Sequence, residues 1–249
     1  MEKPEESNFG LIGKNISYSF SRAYFEKKFK QLNVPFTYQN FDLQDLSELT
    51  EVWSTPNLKG CNVTIPYKQA IIPHLDRLTS EARAIGAVNC IVCKEGEKIG
   101  ANTDVYGFEH SFKTQLHPSD KKAIVLGANG GAAKAVLYTF SKMGIQTLRI
   151  GRQSSDEIDK TFAQLKSSDI TECSIIVNCT PLGTYPNELE KPLIPYTAIT
   201  DQHYLYDLVY RPSETAFLKE GKSKGARIQN GTAMLEAQAE KSWELWNSL

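Results

Sequence analysis

The segment at residues 123–142 restricts the folds open to this chain more than any other. It begins with a short apolar run at 123–126, continues as GANGGAA at 127–133, and then shows the apolar spacing of a helix. Glycine permits a sharp turn between a strand and the helix that follows it. The pattern therefore indicates a buried strand, a tight glycine-rich turn and a helix.

The rest of the second half continues this alternation. Further strands are predicted at 147–150, 174–177 and 204–208, and helices at 130–142, 156–166 and 233–246. Strands separated by helix-length segments imply right-handed crossover connections. The alternation predicts a doubly wound parallel sheet with helices on both faces, the Rossmann arrangement.

The first hundred residues alternate less regularly. Strand patterns occur at 9–12, 38–43, 58–65, 87–93 and 98–103, and helical spacing occurs at 21–32 and 45–53. The last two strands flank Glu95-Gly96-Glu97, which predicts a hairpin within a mixed sheet. We predict the α/β class, with an N-terminal α/β domain at 1–104, a Rossmann domain at 105–232, and a C-terminal segment at 233–249 that returns to the first domain.

Composition restricts the partners of the chain. Among 249 residues, 28 are Lys or Arg and 29 are Asp or Glu, and no block of like charge occurs. This balance gives no electrostatic grip on nucleic acid or on a membrane surface, so a small molecule is the expected partner. The apolar runs are far shorter than the roughly 18 residues that span a bilayer, and the N-terminus is polar and acidic, so we expect a cytoplasmic protein.

The five cysteines are odd in number and lie mostly in apolar, strand-like surroundings, which favours reduced thiols over disulfides. Cys90 and Cys93 form a single C-x-x-C motif. If 87–93 is a strand, these side chains point to opposite faces and do not share a zinc ion. We therefore expect no metal site.

The glycine-rich turn is a candidate nucleotide site. As a G-x-G-x-x-G/A pattern it has Gly127 first and Ala132 last, with Asn129 in the middle position. Asn tolerates a left-handed backbone, so the turn is retained, although its side chain can crowd a phosphate. We expect Gly127, Asn129, Gly130, Gly131 and Ala132 to contact a dinucleotide at the helix N-terminus. A tight turn without a ligand is the alternative.

The end of the next strand bears on cofactor choice. Arg152 follows it at about the position where an NAD enzyme places an acid for the ribose 2′-hydroxyl. The first acid is Asp156, several residues later. An Arg at this position accommodates a 2′-phosphate, so Arg152 favours NADP. The alternative is a solvent-exposed loop charge.

Polar clusters follow three strands of the first domain. They are SYSFS at 17–21, NVTIPYK at 62–68 and NTD at 102–104. The serines either cap a helix or bind a ligand, and capping is the simpler interpretation. A Lys and an Asp at separate strand ends form a plausible acid/base pair, so Lys68 and Asp104 are catalytic candidates. As isolated residues, each would be a surface charge.

Several ordered motifs together resemble the shikimate dehydrogenase family over nearly the whole chain. They are Ser19-Phe20-Ser21, NVTIPYK at 62–68, GAVN at 86–89, NTD at 102–104, the glycine-rich turn, NCTPLG at 178–183, DLVYRP at 207–212, and NGTAMLEAQ at 230–238. The chain departs from the family pattern at Tyr18, Arg22, Asn129, Gly151 and Thr184.

The resemblance implies a reversible, NADPH-dependent reduction of 3-dehydroshikimate to shikimate in aromatic amino acid biosynthesis, by a monomer or homodimer. It implies that Lys68 and Asp104 form the catalytic pair. The substrate would be bound by Ser19 and Ser21 at its carboxylate and by Thr64, Asn89 and Gln238 at its ring hydroxyls, with Tyr210 close by. The resemblance also places Thr180, Leu208 and Gly231 beside the nucleotide. A quinate/shikimate dehydrogenase and a non-catalytic nucleotide or metabolite sensor on the same scaffold remain alternatives.

Overall fold

The computed structural model describes residues 6–17 and 19–248. Tyr18, one of the departures from the family pattern, lies outside the described residues. The chain divides into two compact units, Met1–Thr103 with Ala239–Leu249, and Asp104–Gln238. Each unit contains a six-stranded sheet.

The first unit has a mixed sheet. Its strands are β1 (Ser7–Gly13), β2 (Phe36–Asp42), β3 (Leu58–Val63), β4 (Arg77–Leu78), β5 (Cys90–Lys94) and β6 (Glu97–Ala101), and its helices are α1 (Phe20–Leu32), α2 (Leu49–Trp53), α3 (Tyr67–Ala70) and α4 (Ser80–Ile85). The strand order is β2-β1-β3-β5-β6-β4. Strands β1, β2 and β3 run parallel, and β5 is antiparallel to β3 and β6.

The second unit has a parallel sheet. Its strands are β7 (Lys122–Leu126), β8 (Gln146–Gly151), β9 (Lys160–Thr161), β10 (Ile175–Asn178), β11 (Tyr204–Asp207) and β12 (Arg227–Gln229), and its helices are α5 (Asp104–Phe112), α6 (Gly131–Lys142), α7 (Ser167–Glu172), α8 (Ala216–Ser223) and the first part of α9 (Thr232–Ser248). The strand order is β12-β11-β10-β7-β8-β9.

If the strands are numbered 1 to 6 in chain order from β7 and the sheet is read from β9 to β12, the order is 3-2-1-4-5-6, that of a Rossmann sheet. Alternate residues of β7 belong to separate cores: Val125 packs in a cluster that includes Phe108 of α5 and Val136 of α6, and Ile124 packs in a cluster that includes Phe217 of α8. Helices therefore cover both faces of the sheet. The predicted α/β fold class with a doubly wound nucleotide-type sheet is confirmed.

Aromatic side chains fill one core of the first unit. The rings of Phe9 on β1 and Phe25 on α1 lie 4.8 and 5.1 Å from that of Trp246 on α9. Helix α1 begins where Ser19 caps it and ends at Asn33, which has the left-handed conformation. The contacts with Trp246 attach the end of the chain to strands and helices formed near its start.

The predicted helix at 156–166 is wrong. This stretch contains the two residues of β9 and a 3-10 turn at Phe162–Gln164, and a short α-helix begins only at Ser167. Tertiary contacts hold the chain in this path, because Ile158 packs on Gly151 and Asp159 accepts hydrogen bonds from Arg149. These contacts outweigh the local helical spacing of the apolar residues.

The two cysteines of the C-x-x-C motif point to opposite faces of β5, as predicted. Cys90 packs in the core that contains Phe9, and Cys93 packs against the core that contains Ile91. Within residues 6–17 and 19–248, no group of three His, Cys, Asp or Glu side chains is arranged to hold a metal ion. No helix in the same part of the chain is long and apolar enough to cross a membrane.

Candidate functional site

The glycine-rich turn lies between β7 and α6. Gly127 has a positive φ of 75°, and a methyl group added there would lie 2.8 Å from Cγ2 of Thr180. Glycine is therefore required both by the backbone conformation and by a close neighbour. Asn129 does not have a positive φ, and its side chain is exposed, so the left-handed residue of this turn is Gly127 rather than the unusual Asn.

The start of α6 presents backbone donors. Gly130 is the N-cap and supplies no side-chain hydrogen bond to the helix. The N–H groups of the first turn, which include those of Gly131 and Ala132, have no acceptor within an α-helix. Together with the positive end of the helix dipole, they suit an anionic group such as a pyrophosphate.

The end of β8 lies directly against this turn. The N–H groups of Gly127 and Ala128 both donate to the carbonyl of Ile150, at 2.8 and 3.0 Å. Gly151 ends the strand, and a methyl group there would lie 2.7 Å from Cδ1 of Ile158. Close packing against Ile158 therefore explains why glycine stands at position 151, one of the departures from the family pattern. Arg152 follows and is exposed, which leaves its guanidinium accessible from solvent.

Thr180 is part of a hydrogen-bond network that includes the buried side chains of Asn178 and Asp207. Asn178, at the end of β10, accepts at Oδ1 from the N–H and the hydroxyl of Thr180, at 3.0 and 2.6 Å. Its Nδ2 donates to Oδ1 of Asp207, at the end of β11, over 2.9 Å. Asp207 also accepts from the N–H of Val209 and the hydroxyl of Thr215. The network fixes the carboxyl ends of two neighbouring strands.

Leu208 and Gly231 are also brought together. A methyl group at Gly231 would overlap the carbonyl oxygen of Leu208, and the N–H of Gly231 donates to the carbonyl of Val209. Leu208 in turn donates from its N–H to the carbonyl of Asn178. Because the strand order of the parallel sheet reverses at β7, the residues at the carboxyl ends of β7 and its neighbours surround the position where such sheets bind ligands.

Sequence reasoning did not single out Asn178, Asp207 or Thr215 as individual site residues. Asn178 and Asp207 lie within motifs that the sequence did reveal, and a polar residue directly after an apolar strand was the available signal. Thr215 caps α8 by accepting from the N–H of Leu218. Its bond to Asp207 gave no local signal, because the two residues meet only through the turn between β11 and α8.

Burial makes the Asp207 carboxylate sensitive to pH. The side chain is completely buried, and this burial raises its pKa to about 6, although the hydrogen bonds from Thr215, Val209 and Asn178 oppose the shift. A raised acid pKa means that the folded state binds the proton more tightly than the unfolded state. The stability contributed by this group is therefore complete below the ordinary pKa of an Asp, about 4, and decreases as the pH rises through about 6.

The variant Asp207→Asn should remove this dependence. We expect the free energy of unfolding of the natural protein, relative to that of the variant, to fall by at most about 1.4 kcal/mol per pH unit between pH 4 and pH 6. Urea unfolding of both proteins across this range measures the difference. A difference that stays constant with pH would contradict the assignment of this titration to Asp207.

The candidates of the first unit meet at one edge of its sheet. Ser19 and Ser21 follow β1, and Thr64 and Lys68 follow β3, which is parallel to β1. Asn89 immediately precedes β5, which is antiparallel to β3, so it lies at the same edge. The structure therefore brings these five residues to one end of the sheet.

Their local settings differ. Ser19 accepts from the N–H of Ser21 at 3.2 Å and so caps α1, while Ser21 is 8% exposed. The carbonyl of Lys68 accepts from the N–H of Val88 at 2.7 Å, which holds α3 against the segment before β5. The Lys68 side chain is half-buried. Capping, the simpler interpretation of the serine cluster, is thus confirmed for Ser19.

A second buried network lies beneath this edge. The hydroxyl of Tyr38 donates to Oδ1 of Asn62 at 2.9 Å, and Nδ2 of Asn62 donates to Oγ of Ser242 at 2.8 Å. Ser242 also bonds the Thr103 hydroxyl at 3.1 Å. Thr103 donates from its N–H to Oδ1 of Asn89 at 2.6 Å, and Asn89 donates to the Thr103 hydroxyl. The network fixes the orientation of the Asn89 carboxamide.

Asp104, Tyr210 and Gln238 lie in the second unit. Asp104 is the first residue of α5 and is 5% exposed. Gln238 is 7% exposed, and its Nε2 donates to the carbonyl of Leu235 at 2.9 Å. Tyr210 is half-buried. Their roles toward the residues of the first unit stay predictions.

Residues 11–91 match the family model described as the shikimate dehydrogenase substrate binding domain. The shikimate dehydrogenase (NADP(+)) of Carboxydothermus hydrogenoformans is 37% identical over 256 residues, covering 96% of this chain and 91% of the relative. The shikimate dehydrogenase (NADP(+)) of Desulforamulus reducens is 35% identical over 258 residues, covering 95% of this chain and 88% of the relative. The chain belongs to the shikimate dehydrogenase family.

Solved structures agree with this membership. The chain is similar to the Aquifex aeolicus shikimate dehydrogenase, with a TM-score of 0.88, 29% identity, and coverage of 100% of this chain and 95% of that one. The structure of the Thermus thermophilus shikimate 5-dehydrogenase in complex with NADP(H) and shikimate has a TM-score of 0.85 and 30% identity. The match covers 98% of this chain and 94% of that one. A quinate dehydrogenase from Corynebacterium glutamicum in complex with NAD has a TM-score of 0.86 and 26% identity. The match covers 98% of this chain and 95% of that one. The resemblance predicted from the motifs is confirmed.

Proposed function

We propose that this protein is a shikimate dehydrogenase that reversibly reduces 3-dehydroshikimate to shikimate with NADPH. The observation that carries the proposal is the placement of Ser19, Ser21, Thr64, Lys68 and Asn89 at one edge of the first sheet. Relatives that carry this activity in their names match nearly the whole chain. We assign substrate binding to the first domain and to the C-terminal helix, and nucleotide binding to the second.

The residues of the second unit suit a dinucleotide. Gly127 and the first turn of α6 leave room and backbone donors for a pyrophosphate, and Thr180 lies beside them. Leu208 and Gly231 lie after β11 and β12, on the other side of the point where the strand order reverses. We propose these residues, with Asn129, Gly130, Gly131, Ala132 and Arg152, as the NADP site. When bound, NADPH supplies the hydride.

Lys68 and Asp104 are assigned to proton handling. Reduction of a ketone adds a hydride to the carbonyl carbon and a proton to its oxygen. An ammonium group at Lys68 donates that proton, and in the reverse direction the neutral amine accepts it from the hydroxyl. We assign Asp104 to the same step, as the second member of the catalytic pair that the family resemblance implies. The pair therefore serves both directions of the reaction.

The remaining candidates bind and orient the substrate. Ser19 and Ser21 are neutral donors for the carboxylate, and Thr64, Asn89 and Gln238 hold the ring hydroxyls, with Tyr210 nearby. The fixed carboxamide of Asn89 supports this assignment, since a preset donor and acceptor select the position of a hydroxyl. We also propose a cytoplasmic location, which the free state of all five cysteines supports, and a monomer or homodimer.

A turnover assay tests the proposal. Purified protein is mixed with shikimate and either NADP or NAD, and formation of the reduced cofactor is followed by absorbance. Turnover with shikimate and NADP supports the proposed reaction. Faster turnover with quinate at equal concentration would favour a quinate dehydrogenase, an activity named for the Corynebacterium glutamicum structure. Ligand binding without turnover would indicate the sensor alternative.

The two serines should respond differently to replacement by alanine. Ser19→Ala removes the cap of α1, so we expect a loss of about 1 kcal/mol in stability together with a raised KM for shikimate. Ser21→Ala removes no cap, so we expect a raised KM with little change in kcat, because the carboxylate is held alike in the ground and transition states. Steady-state kinetics and thermal melting of both variants measure these effects. An unchanged KM in both would refute the carboxylate role.

A further inference from the structure

An ion pair joins the nucleotide helix to the loop that follows Arg152. Nζ of Lys134, in the first turn of α6, lies 3.3 Å from Oε1 of Glu157. The Lys134 side chain is 21% exposed, so its stem is largely covered, and Glu157 is 60% exposed. Lys134 therefore extends its ammonium group to the same loop that begins with Arg152.

Two anchored residues hold Glu157 in this place. Ile158 is buried against Gly151, and the next residue, Asp159, receives two hydrogen bonds from the Arg149 guanidinium, at 3.1 and 2.7 Å. The Arg149 guanidinium is thus hydrogen-bonded to Asp159. The stretch 152–157 between Gly151 and Ile158 is exposed throughout.

The charges around this loop oppose one another. Arg152 and Lys134 are positive, while Asp156 and Glu157 are negative. A ribose 2′-phosphate bound at Arg152 would attract Lys134 as a second cation, but it must compete with Glu157 for that ammonium group. The ribose 2′-hydroxyl of NAD carries no charge and does not compete.

We infer that Glu157 and Lys134 together set the cofactor preference, with Lys134 as a second cation for the 2′-phosphate and Glu157 as the counter-charge that weakens NADP binding. This inference rests on the proposed NADP site. Glu157 forms no second salt bridge in the described residues, so its removal frees Lys134 without breaking a buried contact.

The exposure of the pair sets the size of the effect. An exposed ion pair contributes little to stability, so the variant Glu157→Gln should fold normally. Releasing Lys134 to a doubly charged phosphate should tighten NADP binding by about three- to tenfold, and this gain should diminish as salt is added. NAD binding should stay unchanged.

The test measures dissociation constants for NADP and NAD by calorimetry on five proteins: the natural sequence, Glu157→Gln, Lys134→Gln, the double variant, and the control Asp156→Asn. We expect the full gain for NADP in Glu157→Gln, and its loss when Lys134 is also replaced. Asp156→Asn removes an adjacent acid that has no ion pair with Lys134 in the described residues, and it should produce a smaller gain.

Three results would overturn the inference: an unchanged NADP constant in Glu157→Gln, an equal gain in Asp156→Asn, or a gain that survives in the double variant. Turnover of shikimate by the natural protein is recorded alongside. Absent turnover with intact NADP binding would reject the proposed reaction, while the binding constants would still decide the role of Glu157.

Discussion

Replacing Lys68 by Ala should lower kcat for shikimate by at least about 100-fold, the usual scale for loss of a positioned acid/base group. Lys68 lies just beyond β3, at the edge that also carries Ser19, Thr64 and Asn89. Its side chain is half-buried rather than part of a core, so folding and NADP binding should be nearly unchanged. Steady-state kinetics, thermal melting and cofactor titration together measure these three properties.

Lys59 supplies a matched control for this experiment. It is an exposed lysine near the opposite end of the same strand, β3, so Lys59→Ala removes an equal charge away from the proposed site. We expect its kcat to equal that of the natural protein. If Lys68→Ala retains full kcat, or if both variants lose activity equally, Lys68 does not handle the proton.

Replacing Arg152 by Ala should weaken NADP binding by about 1.5–3 kcal/mol, the range for a charge-assisted hydrogen bond, and leave NAD almost untouched. The exposed guanidinium follows β8, whose end is hydrogen-bonded to the glycine-rich turn. A 2′-phosphate at this position forms paired hydrogen bonds with Arg, whereas the NAD hydroxyl gains little. The preference for NADP should therefore shrink by about tenfold or more.

Titration of both cofactors into Arg152→Ala and into Lys219→Ala measures this effect. Lys219 is an exposed cation on α8, so its removal changes the net charge equally without altering the loop after β8. We expect cofactor affinities of the natural protein for the control. Equal weakening of NADP and NAD in Arg152→Ala would show that Arg152 does not discriminate between them.

The competing charge at Glu157 bears on how this result is read. If Glu157 holds Lys134 away from the phosphate, Arg152 carries most of the discrimination, and Arg152→Ala leaves little preference behind. Combining Arg152→Ala with Glu157→Gln should then restore part of the NADP affinity through Lys134. The two residues are therefore best measured in one series.

Local sequence determined the central strand, the glycine-rich turn and the helix at 131–142, because their apolar periodicity and turn residues lie within one continuous segment. The order of the strand and helix patterns was enough to predict the Rossmann sheet. The motifs also named residues that the fold then placed together, such as Gly127 with Thr180 and Leu208 with Gly231. Each of these residues belongs to a motif that is continuous in the sequence, although the contact between the two motifs of a pair forms only in the folded chain.

Tertiary structure alone decided the path of 156–166, the residue that takes the left-handed conformation, and the partners of the buried polar groups. The contact of Ile158 with Gly151 stabilises a non-helical path at 156–166, although the local spacing of apolar residues favours a helix there. Asn62 and Ser242 are 180 residues apart in sequence and share a hydrogen bond. The sequence shows only that a buried polar side chain needs a hydrogen-bond partner. Which residue becomes that partner depends on which strands and helices pack together.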